Sequence, residues 1–272
     1  MKSLTGLLIT TIFTANAIAI EPSLDKHLPG FSFPASFEGV LPCADCAGID
    51  TRINLWEDGV FHMQETYLDT VDGDQSFITL GRWHVDPVIK NKIYLHGGKE
   101  APAIYNISEE GHLQKRDIHG NPIKSSLPYS LTPRVFKPLD IKTGMTGEFR
   151  YMADAAQFTE CHTQRTYPVA MERDYLALEK AYSGLDKPAL GAPIVVSIEG
   201  EIAYYPGMEE SQGDIETVFV NHFIGIPDGL TCERALSQAS LVNTYWKIKS
   251  LDGEEIVPIR DSREAHIVLQ DT

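Results

Sequence analysis

Long apolar runs are missing from this chain: after its first twenty residues nothing approaches the roughly 18 uninterrupted apolar residues that a membrane-spanning helix requires. Positive charge is in deficit, with 23 Lys and Arg against 38 Asp and Glu and a formal net charge of −15. That balance opposes binding to nucleic acid or anionic lipid through charge alone. Catalytic signatures are missing too. There is no Gly-x-Ser-x-Gly elbow, no phosphate loop and no His-Glu-x-x-His element. The abundant Asp and Glu residues carry no catalytic signal by themselves, so a non-enzymatic protein is expected. Helical periodicity is almost missing as well, which excludes a helix bundle.

What is present begins with an address. Lys2 precedes an apolar run through Leu7, Leu8, Ile9, Ile12 and Phe13, and Ala17-Ile18-Ala19 closes it. This is the layout of a secretory signal over residues 1–19. The first cysteine is Cys43, so no lipid-bearing cysteine stands at the expected cleavage point after Ala19. A soluble or peripherally anchored periplasmic protein is expected. At 272 residues, 43% hydrophobic and a mean hydropathy of −0.16, the chain can bury an ordinary core and has room for two domains.

Only four cysteines occur, Cys43, Cys46, Cys161 and Cys232. In an exported chain disulfides are the default. Three pairings are open in principle. The short spacing favours Cys43 with Cys46, which leaves Cys161 with Cys232 to close a long loop worth roughly 4 kcal/mol in the chain-entropy picture. Two sulfurs three positions apart can also grip one soft metal ion, and reduced thiolates suit Cu(I). The stretch after them matters. Arg52 to Trp56 alternates, Asp58-Gly59 offers a tight turn, and Val60 to Tyr67 alternates again, which reads as a β-hairpin entered from the cysteine loop. A dithiol oxidoreductase would lead its second cysteine into a helix whose N-terminal end lowers the thiol pKa. Here it leads into a strand.

Residues 20–34, with Pro22, Pro29, Gly30 and Pro34, read as a loosely held segment. Short strands come next at Gly81–Val85, Lys92–His96, Ala103–Ile107 and Leu113–Ile118, with Tyr129–Thr132 closing the set. This spacing predicts an antiparallel meander curled into a small barrel over residues 35–133. Residues 134–144 read as a linker. A second unit over residues 145–235 opens at Gly147–Tyr151 and holds one helix, about Asp174 to Tyr182, with Tyr175, Leu178 and Tyr182 at helical spacing. Strands return at Ile194–Ile198, Ile202–Tyr205 and Thr217–Val220. One helix among about five strands suits an OB-like small barrel.

Leu-Pro-Cys-Ala-Asp-Cys-Ala-Gly-Ile-Asp-Thr over residues 41–51, followed by the Asp-Gly hairpin, resembles the opening of the NlpE family of Gram-negative envelope proteins. Gly81-Arg82-Trp83, Gly120-Asn121-Pro122-Ile123, Tyr129-Ser130-Leu131 and the run Tyr151 to Cys161 are similar to further family elements, over about residues 35–235. The resemblance implies a mainly β protein, with a lipocalin-like N-terminal antiparallel barrel and an OB-like C-terminal barrel. It also implies a Cys161 to Cys232 bridge, a role in envelope stress signalling and copper tolerance, outer-membrane association, and the sensor kinase of the Cpx envelope-stress system as partner. Residues 241–272, with Asn243-Thr244-Tyr245-Trp246, are similar to the first third of an HslJ-like META domain. There, poor packing is expected, with Ile267-Val268-Leu269 short of sheet partners.

The candidate site is therefore Cys43 and Cys46, as a structural or redox-responsive disulfide or a copper loop, with Cys161 and Cys232 as a structural bridge. His62 or His84 could add a nitrogen to a metal set of Cys43 and Cys46. Strand alternation instead turns His62 away from Phe61 and Met63, toward solvent. Met63, Trp83 and Tyr94 are expected to fill the barrel. Asp45 solvates its turn. His162 and His222 lack metal-ligand spacing, and His96 and His112 have no partner at useful sequence distance. Two other readings are a lipocalin-like binder of a small apolar ligand, with the cysteines bracing its rim, and a periplasmic copper carrier.

Overall fold

The computed structural model describes residues 32–97, 101–185, 191–207, 213–237, 245–248, 250–251, 254–255 and 266–268. The expected signal segment at 1–19 and most of the segment at 20–34 lie outside the described residues.

Eight antiparallel strands close on themselves in chain order: β1 (Ala35–Leu41), β2 (Gly48–Leu55), β3 (Val60–Thr70), β4 (Gly73–Val85), β5 (Lys92–His96), β6 (Ala103–Ile107), β7 (Leu113–Lys115) and β8 (Ser130–Arg134), which pairs back onto β1. Sequential hairpins give this up-and-down closure, and closure removes every free sheet edge. Asp58-Gly59 makes the β2–β3 turn. There Gly59 sits at φ +83°, and the Val60 amide donates to Asp58 Oδ1 at 3.2 Å. Alternation sends Phe37, Ile53, Leu55, Phe61, Met63, Trp83, Ile93, Leu95, Tyr105, Leu113 and Leu131 into one packed interior.

Gly81 is required where two strands of the barrel converge. A Cβ there would lie 2.0 Å from the His96 carbonyl oxygen and 2.8 Å from Gly97 Cα, both backbone atoms that cannot swing aside. Gly81→Ala is therefore expected to destabilise the barrel by about 2 kcal/mol in denaturant unfolding, the usual range for overpacking.

The second unit is a five-stranded antiparallel sheet in the order β11-β10-β9-β12-β13, formed by β9 (Ile141–Met152), β10 (Ala155–Glu160), β11 (Thr166–Pro168), β12 (Ile194–Pro206) and β13 (Asp214–Gly225). Its outer strands approach each other through a parallel bridge between Val169 and Val218, which curls the sheet toward a small barrel. Helix α1 (Tyr175–Ser183) packs its Tyr175, Leu178 and Tyr182 stripe onto this core, and Gly184 ends it with its N–H on the Lys180 carbonyl.

Several expectations are corrected. The strand expected over Leu113–Ile118 stops at Lys115, because the Asp117 carboxylate captures the amides of His119 and Asn121 and turns the chain. β9 begins at Ile141, six residues before Gly147, since its first half alternates too weakly to be seen. The strands expected at 194–198 and 202–205 are one strand, β12, whose pairing with β13 shifts register around Ser197 to Gly200. A second helix, α2 (Cys232–Ser237), is too short to show a period. Tyr94 lies on the outside of the barrel opposite His84, and its hydroxyl donates to Asp86 Oδ2 at 3.0 Å.

Within 241–272, β14 (Tyr245–Lys247) pairs with β17 (His266–Val268), and β15 (Ser250–Leu251) with β16 (Glu254–Glu255). Ile267 thus pairs with Trp246 in a two-stranded sheet, and Leu269 lies outside the described residues. The packing of the rest of this segment lies outside the described residues.

Candidate functional site

Cys43 and Cys46 sit in the loop from β1 to β2 at one end of the barrel, with S–S 2.05 Å and Cα–Cα 5.4 Å. The loop can re-enter the sheet here because Gly48 has no side chain: a Cβ would lie 2.5 Å from Val40 Cγ1. Ala44, Asp45 and Ala47 are exposed and the two cysteines are partly so, which leaves the bond open to reductant. With the sulfurs joined, neither is a thiolate, so metal capture requires reduction first.

His62 stands elsewhere. Gly48 faces Leu68 on β3, whereas His62 faces Asn54, six residues along the strand or about 20 Å at the strand rise. It is not exposed either: 1% of its surface is accessible, its Nε2 has no hydrogen-bond partner, and burial, with the nearby Arg165 cation, lowers its pKa to about 3. The solvent-facing reading is corrected because the Trp56 ring packs against His62 and Arg165 of the second domain lies nearby. His84 is also remote from the cysteine loop, on β4 opposite Tyr94. Among the described residues, no group of three or more His, Cys, Asp or Glu side chains is placed to hold a metal.

Cys161 and Cys232 are bonded, with S–S 2.07 Å and Cα–Cα 5.0 Å, and join the end of β10 to the start of α2. Cys161 belongs to a tightly organised turn. The carboxylate of Glu160, 1% exposed, accepts from the His162 amide at 3.0 Å and the Thr163 amide at 2.7 Å, and lies 3.0 Å from His162 Nδ1. That hydrogen bond raises the His162 pKa, against the opposing effect of burial.

This same turn docks the two domains. The Thr163 carbonyl accepts from Arg82 Nη1 of the barrel at 2.8 Å. Two residues on, Arg165 makes a two-pronged contact with Asp58 in the β2–β3 turn, Nη2 to Oδ1 at 2.7 Å and Nε to Oδ2 at 3.0 Å. Its third nitrogen, Nη1, reaches Glu216 Oε2 on β13 at 2.7 Å. The guanidinium also lies over the Trp56 ring, 4.9 Å from its centre. Trp56 in turn contacts the His62 ring at 4.4 Å and Phe136 of the interdomain segment at 5.8 Å. Burial pulls the Arg165 pKa down, but its bonds to Asp58 and the surrounding acids outweigh that. Burial pushes Glu216 up, opposed by Arg165. Leu80 and Ile78, outward residues of β4, complete the seam by joining the core of the second domain.

No sequence pattern assembles this seam. A tryptophan in a β-hairpin turn and a histidine between Phe61 and Met63 are its only local signals. Arg165→Ala should leave Glu216 desolvated and Trp56 uncovered, and lower stability by about 2 kcal/mol, below the value for a fully buried pair because Asp58 is 53% exposed. Unfolding of the variant alongside Asp58→Ala and the double variant would measure the coupling.

Residues 37–126 match the family profile described as the NlpE N-terminal domain, and residues 141–233 that described as the NlpE C-terminal OB domain. The lipoprotein NlpE of Escherichia coli (strain K12) is 34% identical over 206 residues, covering 72% of this chain and 82% of that protein. The chain belongs to the NlpE family. Two solved structures are also similar. The crystal structure of the Cpx pathway activator NlpE from Escherichia coli is 29% identical and covers 74% of this chain and 98% of that one, with a TM-score of 0.31. A putative lipoprotein from Shewanella oneidensis is 31% identical over 42% of this chain and 93% of that one, with a TM-score of 0.33. In this member of the NlpE family the first matched region runs from within β1 past β7 of the closed barrel, and the second runs from the start of β9 into α2.

Proposed function

We propose that this chain is an exported, non-enzymatic reporter of envelope stress that acts on the Cpx pathway through its sensor kinase, with the redox state of its disulfides setting how the two domains dock. The observation that carries this reading is that the turn tied by the Cys161–Cys232 bond is the turn that supplies Thr163 and Arg165 to the barrel. Reduction frees α2 from that turn, loosens its hold on Asp58 and Arg82, and uncovers barrel surface around Trp56 for a partner. The Cys43–Cys46 loop is the second input. Once reduced it offers two thiolates to Cu(I), which prefers sulfur.

The alternative of an apolar-ligand carrier is less well supported, because Phe37, Phe61, Trp83 and Tyr105, each at most 2% exposed, occupy the interior where such a ligand would lie. The test is a Cpx-responsive reporter in cells that express the chain or its Cys161→Ser/Cys232→Ser variant. Constitutive activation by the variant is expected, and basal output with inducible wild type would overturn the reading. Cu(I) titration of the reduced protein should give one bound ion that both Cys43→Ser and Cys46→Ser abolish.

A further inference from the structure

His84 on β4 and His96 on β5 are 12 residues apart in sequence and occupy diagonal positions on the outer face of the barrel, where Arg82 faces His96 and His84 faces Tyr94. Their rings lie 5.1 Å apart with planes 12° from parallel, and the stack continues to Tyr94 at 5.2 Å. Both histidines are exposed.

We propose that His84 and His96 form a two-imidazole site for a divalent transition-metal ion, with Cu(II) as its strongest ligand. Neutral imidazole is a good donor for Cu(II), Ni(II) and Zn(II), and Cu(II) heads the affinity order for nitrogen sites. Diagonal cross-strand positions lie about 7–8 Å apart, a span that two histidine side chains can close onto one ion with nitrogen–metal bonds of about 2.0 Å. Parallel rings cannot both aim a lone pair at one point, so binding turns them toward each other. Their exposure leaves them room to do so. Water fills the remaining positions.

The surroundings fix the pair for this use. Tyr94 closes one end of the stack and is itself held by Asp86, whose Oδ1 is engaged by the amides of Val88 and Ile89. Asp86 therefore orients Tyr94 instead of acting as a ligand. Arg82, the nearest cation by register, has its guanidinium directed to the carbonyls of Thr163 and Asp58 at the seam. Partial burial, together with the neighbouring His84, lowers the His96 pKa.

The site is independent of thiol chemistry, since all four cysteines are disulfide-bonded here. The test uses the full, oxidised chain with its disulfides verified by mass, titrated with Cu(II) at pH 7.5 and followed by calorimetry and electron paramagnetic resonance. One ion with two imidazole nitrogens in its spectrum is expected. His84→Gln and His96→Gln should each weaken binding at least about tenfold, as expected from the cost of losing even outer-shell partners of a metal. His162→Gln and His222→Gln should bind like the wild type. Circular dichroism checks that the variants fold, which the exposure of both side chains favours. Wild-type affinity in either of the first two variants, or no binding by the wild type, would mean that the stack serves only to brace the sheet and would overturn the proposal.

Discussion

Serine in place of both Cys161 and Cys232 is expected to lower the stability of the second domain by about 4 kcal/mol, whereas the same change at Cys43 and Cys46 is expected to cost about 2 kcal/mol or less. The difference arises from loop length. The long bridge spans 71 residues and the short one three. In the chain-entropy picture, the stabilisation by a cross-link grows with the logarithm of the loop it closes. The long bridge also ties the Glu160 to Arg165 turn to α2, so its loss acts on the seam as well as on the unfolded chain. Two denaturant transitions, one for the barrel and one for the second unit, should separate in the long-bridge variant. A single transition with an unchanged midpoint would show that the turn holds itself through Glu160 alone.

The order of effects matters for signalling. A bond whose loss costs several kcal/mol moves a domain with ordinary marginal stability most of the way to unfolding, while one that costs little can open and close without disturbing the barrel. In the proposed function, Cys161–Cys232 would therefore report failure of oxidation during assembly, and Cys43–Cys46 would respond reversibly in the assembled protein. Limited proteolysis under graded reductant should cut near residues 160–165 only after the long bridge opens.

How much of this can be read in the chain depends on which contacts are local. The Asp58-Gly59 turn, the Trp83 interior position and the Tyr175, Leu178, Tyr182 stripe are all visible, because each is set by neighbours within a few residues. The cysteine loop entering a strand is visible for the same reason. Arg165 and Asp58 are 107 residues apart, and nothing near either one marks the other. Period-two alternation says which face of a strand a residue occupies and is silent about what covers that face. Hence alternation puts His62 correctly on the outside of the barrel and wrongly in solvent. Tyr94 shows the complementary failure. Its aromatic character suggests the interior, but the register of β5 against β4 puts it beside His84 on the outer face. The pairing of His84 with His96 is invisible until that register is known.

Acid should open the seam through His62. A group whose folded pKa lies below its unfolded value contributes stability that is complete above the unfolded pKa and is lost as pH falls toward the folded one. For His62 that window runs from about 6.5 down to about 3. Each unit is worth about 1.4 kcal/mol, so the loss should reach about 2 kcal/mol at pH 5 and at most about 5 kcal/mol below pH 3. The protonated ring would be a second cation beside Arg165, in contact with Trp56 and cut off from water. Two other groups at the seam work the other way. His162, raised by Glu160, and Glu216, raised by burial, both add stability as pH falls, so the wild-type profile is a difference. His62→Leu isolates the histidine's share: it fills the covered site with an apolar group of similar size and removes the charge that acid would create. Between pH 7 and 5 the variant should lose clearly less stability than the wild type, and its Trp56 emission should stay constant while that of the wild type shifts. Parallel profiles for the two proteins would show that His62 does not carry the acid response.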